Sequence, residues 1–200
     1  MAFRGPKGKV ARSLGYAVTQ KTQKALDRRN FAPGQHGQTR KKSASVYKQQ
    51  LVEKQRLRFT YNISEAQLSK AYAEANRRDG SAGDNLMIIL ETRLDALVFR
   101  MGFARTIFAA RQYVAHGHFT VNGRRSFSPS TQIKAGDVIA VREQSKEHAQ
   151  IKDAIANAPA APEYVAVDAN KLEGKLVAFP LRDQIPVKLE EQLVVEYYSR

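Results

Sequence analysis

The chain has 200 residues, no cysteine, and 33 Lys and Arg against 19 Asp and Glu, which gives a net charge of +14 at pH 7. The lack of cysteine excludes disulfides, thiolate zinc sites and cysteine nucleophiles. No apolar run approaches the roughly 18 residues of a membrane span, and residues 1–7 lack the apolar core of a secretory signal. The charge predicts a polyanionic partner, either nucleic acid or an anionic membrane surface.

Almost all of the excess charge lies in the first third of the chain. Residues 1–60 contain fifteen Lys and Arg and two acids, a net charge of +13, whereas the remaining residues carry a net charge of +1. A solvated or disordered basic tail is one interpretation. Aromatic residues able to stack on nucleobases are interleaved with the bases, however, and glycine and proline interrupt the apolar stripe of a membrane-surface helix. Nucleic acid is therefore favoured; the aromatic residues are Phe3, Tyr16, Phe31, Tyr47 and Phe59.

The first predicted segment, residues 1–44, is irregular and rich in Gly, Lys, Arg and Gln. Within it, residues 32–38 predict a turn, because Pro33 presets φ and Gly34 permits positive φ. Glycines there would let backbone N–H groups approach phosphates, although a plain surface turn is an equally good interpretation.

Two helices are predicted next. The first runs from Ser45 to about Phe59. The second begins at Ser64, which forms a capping-box pattern with Gln67, and runs to about Arg78. Residues 79–84 then break the pattern and predict a hinge.

A longer amphipathic helix follows and ends at Gly102, since leucines and a methionine recur at helical spacing at Leu86, Leu90, Leu94, Leu97 and Met101. Thr106 is predicted to cap another helix that ends at Gly117. Its apolar face comprises Ile107, Ala110 and Val114.

Beyond Gly117 the pattern changes to that of strands. Asn122 and Gly123 predict a hairpin turn, and a turn at residues 134–137 precedes a strand at residues 138–141. A helix is predicted at about residues 146–156, and two strands joined near Gly174 at residues 164–179. Residues 189–198 fit either a helix or a strand.

In the block of residues 91–141, the part from residue 91 to residue 125 contains six arginines and two acids, Glu91 and Asp95. In the predicted single helix Arg93 and Arg100 lie seven positions apart and so share one face. Arginine binds phosphate bidentately and stacks on bases. A basic surface is therefore predicted, with scattered solvated arginines as the alternative; its members are Arg93, Arg100, Arg105, Arg111, Arg124 and Arg125.

The same block resembles the αL-type RNA-binding domain of ribosomal protein number four of the small subunit. The sequence APGQHG at residues 32–37, followed by Tyr47 and QLVEKQ at residues 50–55, is similar to the N-terminal signature of that protein family. The ending LVVEYYSR at residues 193–200 is similar to its C-terminus. The resemblance covers nearly the whole chain in order.

The resemblance implies an α+β fold: a mostly helical N-terminal domain with a basic extension, an αL-type RNA-binding α/β module, and a small antiparallel sheet. The expected divisions are a basic extended region at residues 1–44, and a helical domain at residues 45–84 completed by residues 185–200. An α+β domain at residues 85–184 would contain the module at about residues 91–143.

The function that the resemblance implies is that of a structural constituent of the small ribosomal subunit. Such a protein binds the 5′ domain of small-subunit rRNA directly, nucleates assembly of the subunit body and contributes to translational accuracy. The expected neighbours are small-subunit ribosomal protein five and the mRNA entry path. The protein would be a monomer within a cytoplasmic ribosome, or alternatively an organellar one, with no membrane partner, cofactor or catalytic activity.

The residues expected to bind RNA combine the basic side chains with polar and aromatic neighbours in the matching motifs. Many relatives carry four cysteines near the N-terminus, and their absence here implies that no zinc is bound. The expected RNA-binding residues are Arg4, Lys7, Lys9, Arg12, Arg28, Arg29, Gln35, His36, Arg40, Lys41, Lys42, Tyr47, Lys54, Arg56, Arg58, Arg93, Arg100, Arg105, Arg111, His116, His118, Asn122, Arg124 and Arg125.

Three alternatives compete with the ribosomal interpretation. Arg93-Leu94-Asp95 superficially resembles the catalytic motif of pseudouridine synthases, although Asp95 is expected to be a helix-surface or ion-pairing group. A metal site would combine His116 and His118 with His36 or His148. A free-standing RNA-binding factor, such as a heat-shock protein, would carry little more than the module.

Overall fold

The computed structural model describes residues 5–39 and 43–199, so the predicted RNA-binding residues Arg4, Arg40, Lys41 and Lys42 lie outside the described residues. The chain forms two compact units. Within the described residues, the first unit comprises residues 5–39, 43–83 and 188–199, and the second comprises residues 84–187.

The described elements combine helices with one antiparallel sheet, which confirms the predicted α+β class. In chain order they are α1 (Lys7–Leu14), α2 (Gln20–Arg28), α3 (Val46–Thr60), α4 (Glu65–Ala75), α5 (Ala82–Glu91), α6 (Leu94–Arg100), α7 (Ile107–Ala115), β1 (Phe119–Val121), β2 (Arg124–Ser126), β3 (Val138–Val141), α8 (Ala149–Ala156), β4 (Val165–Asp168), β5 (Glu173–Leu176) and α9 (Glu191–Tyr198). Short 3-10 helices occur at Glu143–Ser145 and Arg182–Gln184. None of the described helices is both long and apolar enough to cross a membrane.

The prediction that residues 1–44 are irregular is wrong where α1 and α2 form. Helix α1 ends at Gly15, whose φ of 60° terminates it in the left-handed conformation that glycine favours. Helix α2 begins with a capping box in which Thr19 and Thr22 each accept the other's backbone N–H, at 3.3 and 2.9 Å. This cap uses threonine where a glutamate or glutamine is usual, so the sequence signal was weak.

The predicted helices at Ser45 and Ser64 are confirmed. Ser45 Oγ accepts the N–H of Lys48 at 3.3 Å, and Ser64 forms the predicted capping box with Gln67. Helix α4 ends at Ala75, before the predicted Arg78, and its last turn continues as i to i−3 hydrogen bonds. The C-terminal segment, undecided from sequence, is the helix α9, which packs on α3.

The predicted single helix through Leu86 and Met101 is wrong, because it breaks between α5 and α6. Arg93 has extended backbone (φ −69°, ψ 145°) and forms an isolated antiparallel bridge with Gln132. The flanking amides bond to that same passing segment: Leu94 N–H donates to Thr131 O and Ile133 N–H donates to Thr92 O, both at 2.9 Å. The apolar stripe is still buried on both sides of the break.

Helix α7 and the following hairpin form as predicted. Thr106 Oγ1 caps α7 by accepting the Ala109 N–H at 3.1 Å. In the hairpin, Asn122 (φ 49°) and Gly123 (φ 76°) both have positive φ, which defines the turn that suits the twist of paired strands. The helix predicted at residues 146–156 is shorter than expected, because α8 begins only after His148.

The sheet has the strand order β2-β1-β3-β5-β4, with antiparallel pairing throughout. Its core face packs against α6, α7 and α8 through buried side chains such as Leu97, Phe119, Ile139 and Ile151. The two strands predicted at residues 164–179 are confirmed; they are joined at residues 169–172, and Gly174 itself lies within β5. A Cβ there would approach Met101 Sδ to 2.6 Å, so the glycine makes room for that side chain.

Candidate RNA interface

The first unit has a basic surface on α1 and α2. Its exposed cations make no ion pair within the described residues, and they are Lys9, Lys21, Lys24, Arg28 and Arg29. The pKa of Lys7 is lowered, first by its partial burial and then by repulsion from Lys21. Crowded cations that lack internal partners suit an anionic ligand.

Arg12 joins α1 to the turn that carries the APGQHG sequence. Its guanidinium donates to Phe31 O at 3.0 Å and Ala32 O at 3.2 Å, and it lies 4.8 Å from the centre of the Phe31 ring. The predicted turn is confirmed: Gly34 has φ 97°, and Gln35 and His36 are exposed on it. Arg12 therefore holds the turn rather than standing open to solvent.

Three predicted RNA-binding residues on α3 make ion pairs and hydrogen bonds within the first unit. Lys54, only 4% exposed, pairs with Glu65 at 2.9 Å, and its Nζ lies 4.3 Å from the centre of the Tyr197 ring. Arg56 donates to Leu14 O and pairs with Glu53, while Arg58 pairs with Glu65 at 3.2 Å. The structure thus assigns Lys54, Arg56 and Arg58 an internal packing role.

Glu65 accepts the cations of this α3 network, and Tyr47 lies in the first turn of α3. Burial raises the pKa of Glu65, but hydrogen bonds from Tyr198 and Lys54 outweigh it, so the pKa is lowered overall. Tyr47, by contrast, is exposed and its ring centre lies 5.9 Å from that of Tyr197. An exposed tyrosine backed by a second ring suits stacking on a base.

In the second unit, Asp95 neutralises two of the predicted arginines. Arg93 donates to both of its carboxylate oxygens, at 3.0 and 2.9 Å, and Arg111 Nη1 donates to Oδ2 at 3.0 Å. Asp95 is 1% exposed and Arg93 is 5% exposed. The expected shared face of Arg93 and Arg100 is therefore wrong, because Arg93 precedes α6 and turns inward.

The other buried acid, Glu91, holds Arg100. The Arg100 guanidinium pairs with the Glu91 carboxylate, which also accepts the Tyr164 hydroxyl at 2.7 Å. Burial and the adjacent Glu91 carboxylate raise the pKa of Tyr164, so its hydroxyl stays protonated. Arg105 pairs with Asp153 on the surface at 2.5 Å. Four of the six predicted arginines are thus paired with acidic side chains of the chain itself: three with buried acids and Arg105 with the exposed Asp153.

The hairpin presents the remaining two arginines. Arg124 is exposed, and Arg125 lies 4.3 Å from the centre of the exposed Phe127 ring while donating to Gly117 O at 3.2 Å. A Cβ on Gly117 would approach Arg125 Nε to 2.6 Å, so a glycine is needed there. Asn122 is a structural residue, since its amide donates to Asp137 Oδ1 and its Oδ1 accepts the Val138 N–H.

His116 and His118, both predicted RNA contacts, lie beside this hairpin. The His118 ring is 6.1 Å from that of His116 and 5.3 Å from that of His148. His36 belongs to the first unit. Within the described residues no group of three or more His, Cys, Asp or Glu has the geometry to hold a metal ion, so the metal alternative gains no support.

Comparisons with known proteins agree across the whole chain. The family described as the ribosomal protein S4/S9 N-terminal domain matches residues 2–91, and the S4 domain matches residues 92–139. Proteins called small ribosomal subunit protein uS4 are 46% identical in Halalkalibacterium halodurans, over 99% of this chain and 98% of that protein, and 49% identical in Micrococcus luteus, over 95% and 94%. This chain belongs to the uS4 family.

Membership in the uS4 family, whose members are structural components of the ribosome, excludes the pseudouridine synthase alternative. The Arg93-Leu94-Asp95 sequence has instead a packing role: Asp95 is an ion-pairing group, as one of the two predictions had it, but it is buried and not on a helix surface. The uS4 match also spans both units, which a free-standing module would not.

Two residues beside the hairpin of this uS4-family chain were not among the expected RNA-binding residues, nor were Lys21 and Lys24 of α2. Phe127 comes two positions after Arg125, and its ring centre lies 4.3 Å from the Arg125 guanidinium. The positive charge of Arg142 helps to lower the pKa of His118. The alternation of Arg125 and Phe127 was a usable signal, because residues i and i+2 of a strand share a face. Arg142 gave no such signal, because it is brought next to His118 by the pairing of β3 with β1.

Proposed function

We propose that this uS4-family chain is a structural constituent of the small ribosomal subunit and that it binds the subunit's rRNA directly. The observation that carries the proposal is the basic surface of α1 and α2, whose exposed cations Lys9, Lys21, Lys24, Arg28 and Arg29 pair with no acid in the part of the chain that the structure describes. The full-length similarity to proteins called small ribosomal subunit protein uS4 supports the same role.

The mechanism is architectural. Exposed Lys and Arg side chains neutralise converging RNA phosphates and release counterions, so the affinity falls steeply as the salt concentration rises. Shape recognition of folded RNA supplies the specificity, with stacking on exposed rings in addition. The direct contacts we propose are Lys7, Lys9, Lys21, Lys24, Arg28, Arg29, Gln35, His36, Tyr47, His116, His118, Arg124 and Arg125.

The other predicted RNA-binding residues within the described part of the chain hold the structure beneath the proposed contacts. Arg12 holds the turn at residues 32–37, and Asn122 holds the hairpin. The internally paired side chains neutralise acids of their own unit and so fix the elements around the exposed cations. They are Lys54, Arg56, Arg58, Arg93, Arg100 and Arg111, with Arg105 paired at the surface.

The resemblance to the ribosomal protein family also suggests which RNA is bound and which neighbours the chain has. We propose that the RNA partner is the 5′ domain of small-subunit rRNA, that binding nucleates assembly of the subunit body, and that the chain contributes to translational accuracy. Its proposed neighbours are small-subunit ribosomal protein five and the mRNA entry path, in a cytoplasmic ribosome. Strong, shape-dependent electrostatic binding is what an early-binding protein requires.

The test compares binding of the purified chain to a transcript of the 5′ domain of small-subunit rRNA and to an unrelated structured RNA of equal length, across a salt series. We expect tight preferential binding to the 5′ domain that survives moderate salt. Equal binding to both RNAs, disappearing together as salt rises, would contradict a specific rRNA role and would favour the free-standing factor.

A further inference from the structure

Three of the chain's four histidines are gathered at one place in the second unit. His116 follows α7, His118 precedes β1, and His148 precedes α8, with ring centres 6.1 Å (His116 to His118) and 5.3 Å (His118 to His148) apart. The Tyr113 ring lies against two of them, 5.9 Å from His118 and 5.7 Å from His148. We call His116, His118 and His148 the histidine cluster.

The hydrogen bonds of the histidine cluster are compatible with both the neutral and the protonated form of the His118 ring. His118 Nδ1 lies 2.9 Å from Ser145 Oγ, and a hydroxyl can donate to a neutral ring or accept from a protonated one. His148 Nδ1 is buried, and among the described residues no group hydrogen-bonds to it. Because that nitrogen is buried, an RNA phosphate would meet the exposed His116 ring and the partly exposed His118 ring and not His148 Nδ1.

The charged side chains that act on His118 are positive. His148, His116, Arg125 and Arg142 all act on His118 and, after burial, lower its pKa. The nearby acids have their own cations: Glu143 pairs with Lys146, Glu147 with Lys152, and Asp153 with Arg105.

The backbone adds to this positive field. His148 is the N-terminal cap residue of α8 but makes no side-chain capping bond, so the positive end of that helix faces the cluster uncompensated. The site favours an anion.

We propose that the histidine cluster is a proton-linked phosphate subsite, which binds a phosphate of the RNA as its rings take up protons. This inference rests on the proposed rRNA-binding function and names how that surface is regulated. The exposed Arg125 and the hairpin beside the cluster place it within a surface already suited to RNA. We take the anion to be an RNA phosphate, rather than an acidic peptide, because Arg124 and Arg125 of the adjacent hairpin are proposed RNA contacts.

The chemistry is a reversible proton transfer from solvent to the cluster, and no bond of the RNA breaks. Without an anion, burial and the surrounding cations keep the His118 ring neutral near pH 7. A bound phosphate stabilises the imidazolium, so the pKa of a cluster histidine is higher in the complex than in the free protein. Because the complex then binds more protons, the affinity for RNA rises as the pH falls.

The test measures binding of the whole chain to the 5′-domain transcript between pH 8 and pH 6 at constant ionic strength. We expect binding to tighten several-fold from pH 8 to pH 6, and a rise of about one pKa unit in one histidine sets an upper limit of about tenfold. Calorimetry in buffers of different ionisation enthalpy should show net proton uptake on binding. The H116N/H118N/H148N variant should lose both effects.

The fourth histidine, His36, is itself a proposed RNA contact, so its own contribution is removed with H36N. The H36N chain, whose remaining histidines are those of the cluster, should still show pH-dependent binding and proton uptake, and adding H116N/H118N/H148N should abolish both. Thermal unfolding checks that each variant is folded. If the triple variant does not fold, the H116N variant, altered only at an exposed ring, should show reduced proton uptake.

The outcomes separate this inference from the proposed function. Preferential 5′-domain binding with no pH dependence, or with equal proton uptake in the wild type and the cluster variants, would overturn the phosphate subsite and leave the rRNA role intact. An H36N variant that loses the effect would overturn the assignment to this cluster. Loss of preference for the 5′ domain at every pH would instead overturn the proposed function.

Discussion

Arg93 turns back on Asp95, two positions further along the chain, and donates from Nε and Nη2 to the two carboxylate oxygens at 3.0 and 2.9 Å. The same carboxylate accepts Arg111 of α7, so one buried acid joins the start of α6 to the following helix. Charge reversal of Arg93 or Arg111 would therefore perturb folding. The exposed Arg124 is the better probe of RNA contact.

We expect Asp95→Ala to lower the free energy of unfolding by about 3–5 kcal/mol, because it leaves the buried Arg93 without a counter-charge. Urea unfolding followed by circular dichroism measures the change. The control is Asp153→Ala, which breaks the exposed pair with Arg105 and should cost about 1 kcal/mol or less. Equal losses in the two variants would show that the Asp95 pairs carry no special weight.

The basic surface of α1 and α2 predicts a change in salt dependence. In the K9Q/K21Q/K24Q variant, the slope of log K against log salt should become shallower by about one unit for each phosphate that the protein no longer neutralises. The matched control K70Q/K152Q/K175Q removes the same charge from exposed lysines elsewhere. If the two triple variants weaken binding to the 5′-domain transcript equally, net charge and not this surface determines the affinity.

Gly174 predicts a measurable coupling with Met101. We expect Gly174→Ala to destabilise the chain by about 1–3 kcal/mol, because the new methyl group would overlap the Met101 side chain. In the Met101→Ala background the same change should cost clearly less, since the obstructing atoms are gone. A double-mutant cycle from urea unfolding measures the coupling, and strict additivity would contradict the steric explanation.

The capping box of α4 predicts a smaller effect. Ser64→Ala should lower the free energy of unfolding by about 1 kcal/mol, because the Gln67 N–H loses its acceptor. Ser69→Ala, at an exposed position within α4, is the control and should be neutral or slightly stabilising. Chemical denaturation of both variants under identical conditions decides whether the cap contributes.

The lowered pKa of Glu65 predicts an acid-dependent loss of stability. Its folded pKa lies below the ordinary value of 4.5, so its contribution is present above that pH and is lost as the pH falls through the folded pKa. We therefore expect wild-type stability to fall more steeply below pH 4.5 than that of Glu65→Gln. Glu74→Gln, which alters a surface pair, should keep the wild-type slope.

The helix starts at Ser45, Ser64 and Thr106, the hairpin at Asn122-Gly123, and the apolar stripes could all be predicted from the sequence. Each depends on neighbours within a few residues, through caps, positive φ and helical periodicity. Net charge and its concentration in the first third likewise indicated a polyanionic partner. The matching motifs indicated the ribosomal family.

Tertiary structure decided which charges are available. Glu91 and Asp95 were counted as two acids on a basic surface, yet they are buried and hold Arg93, Arg100 and Arg111. Likewise the break before α6 exists because residues 131–133 pair with the chain there, and His148 reaches His118 only through the sheet and α8. Composition and local spacing determined the sign of the charge, whereas burial and partners from distant segments determined where that charge is exposed, because desolvation and ion pairing depend on three-dimensional neighbours.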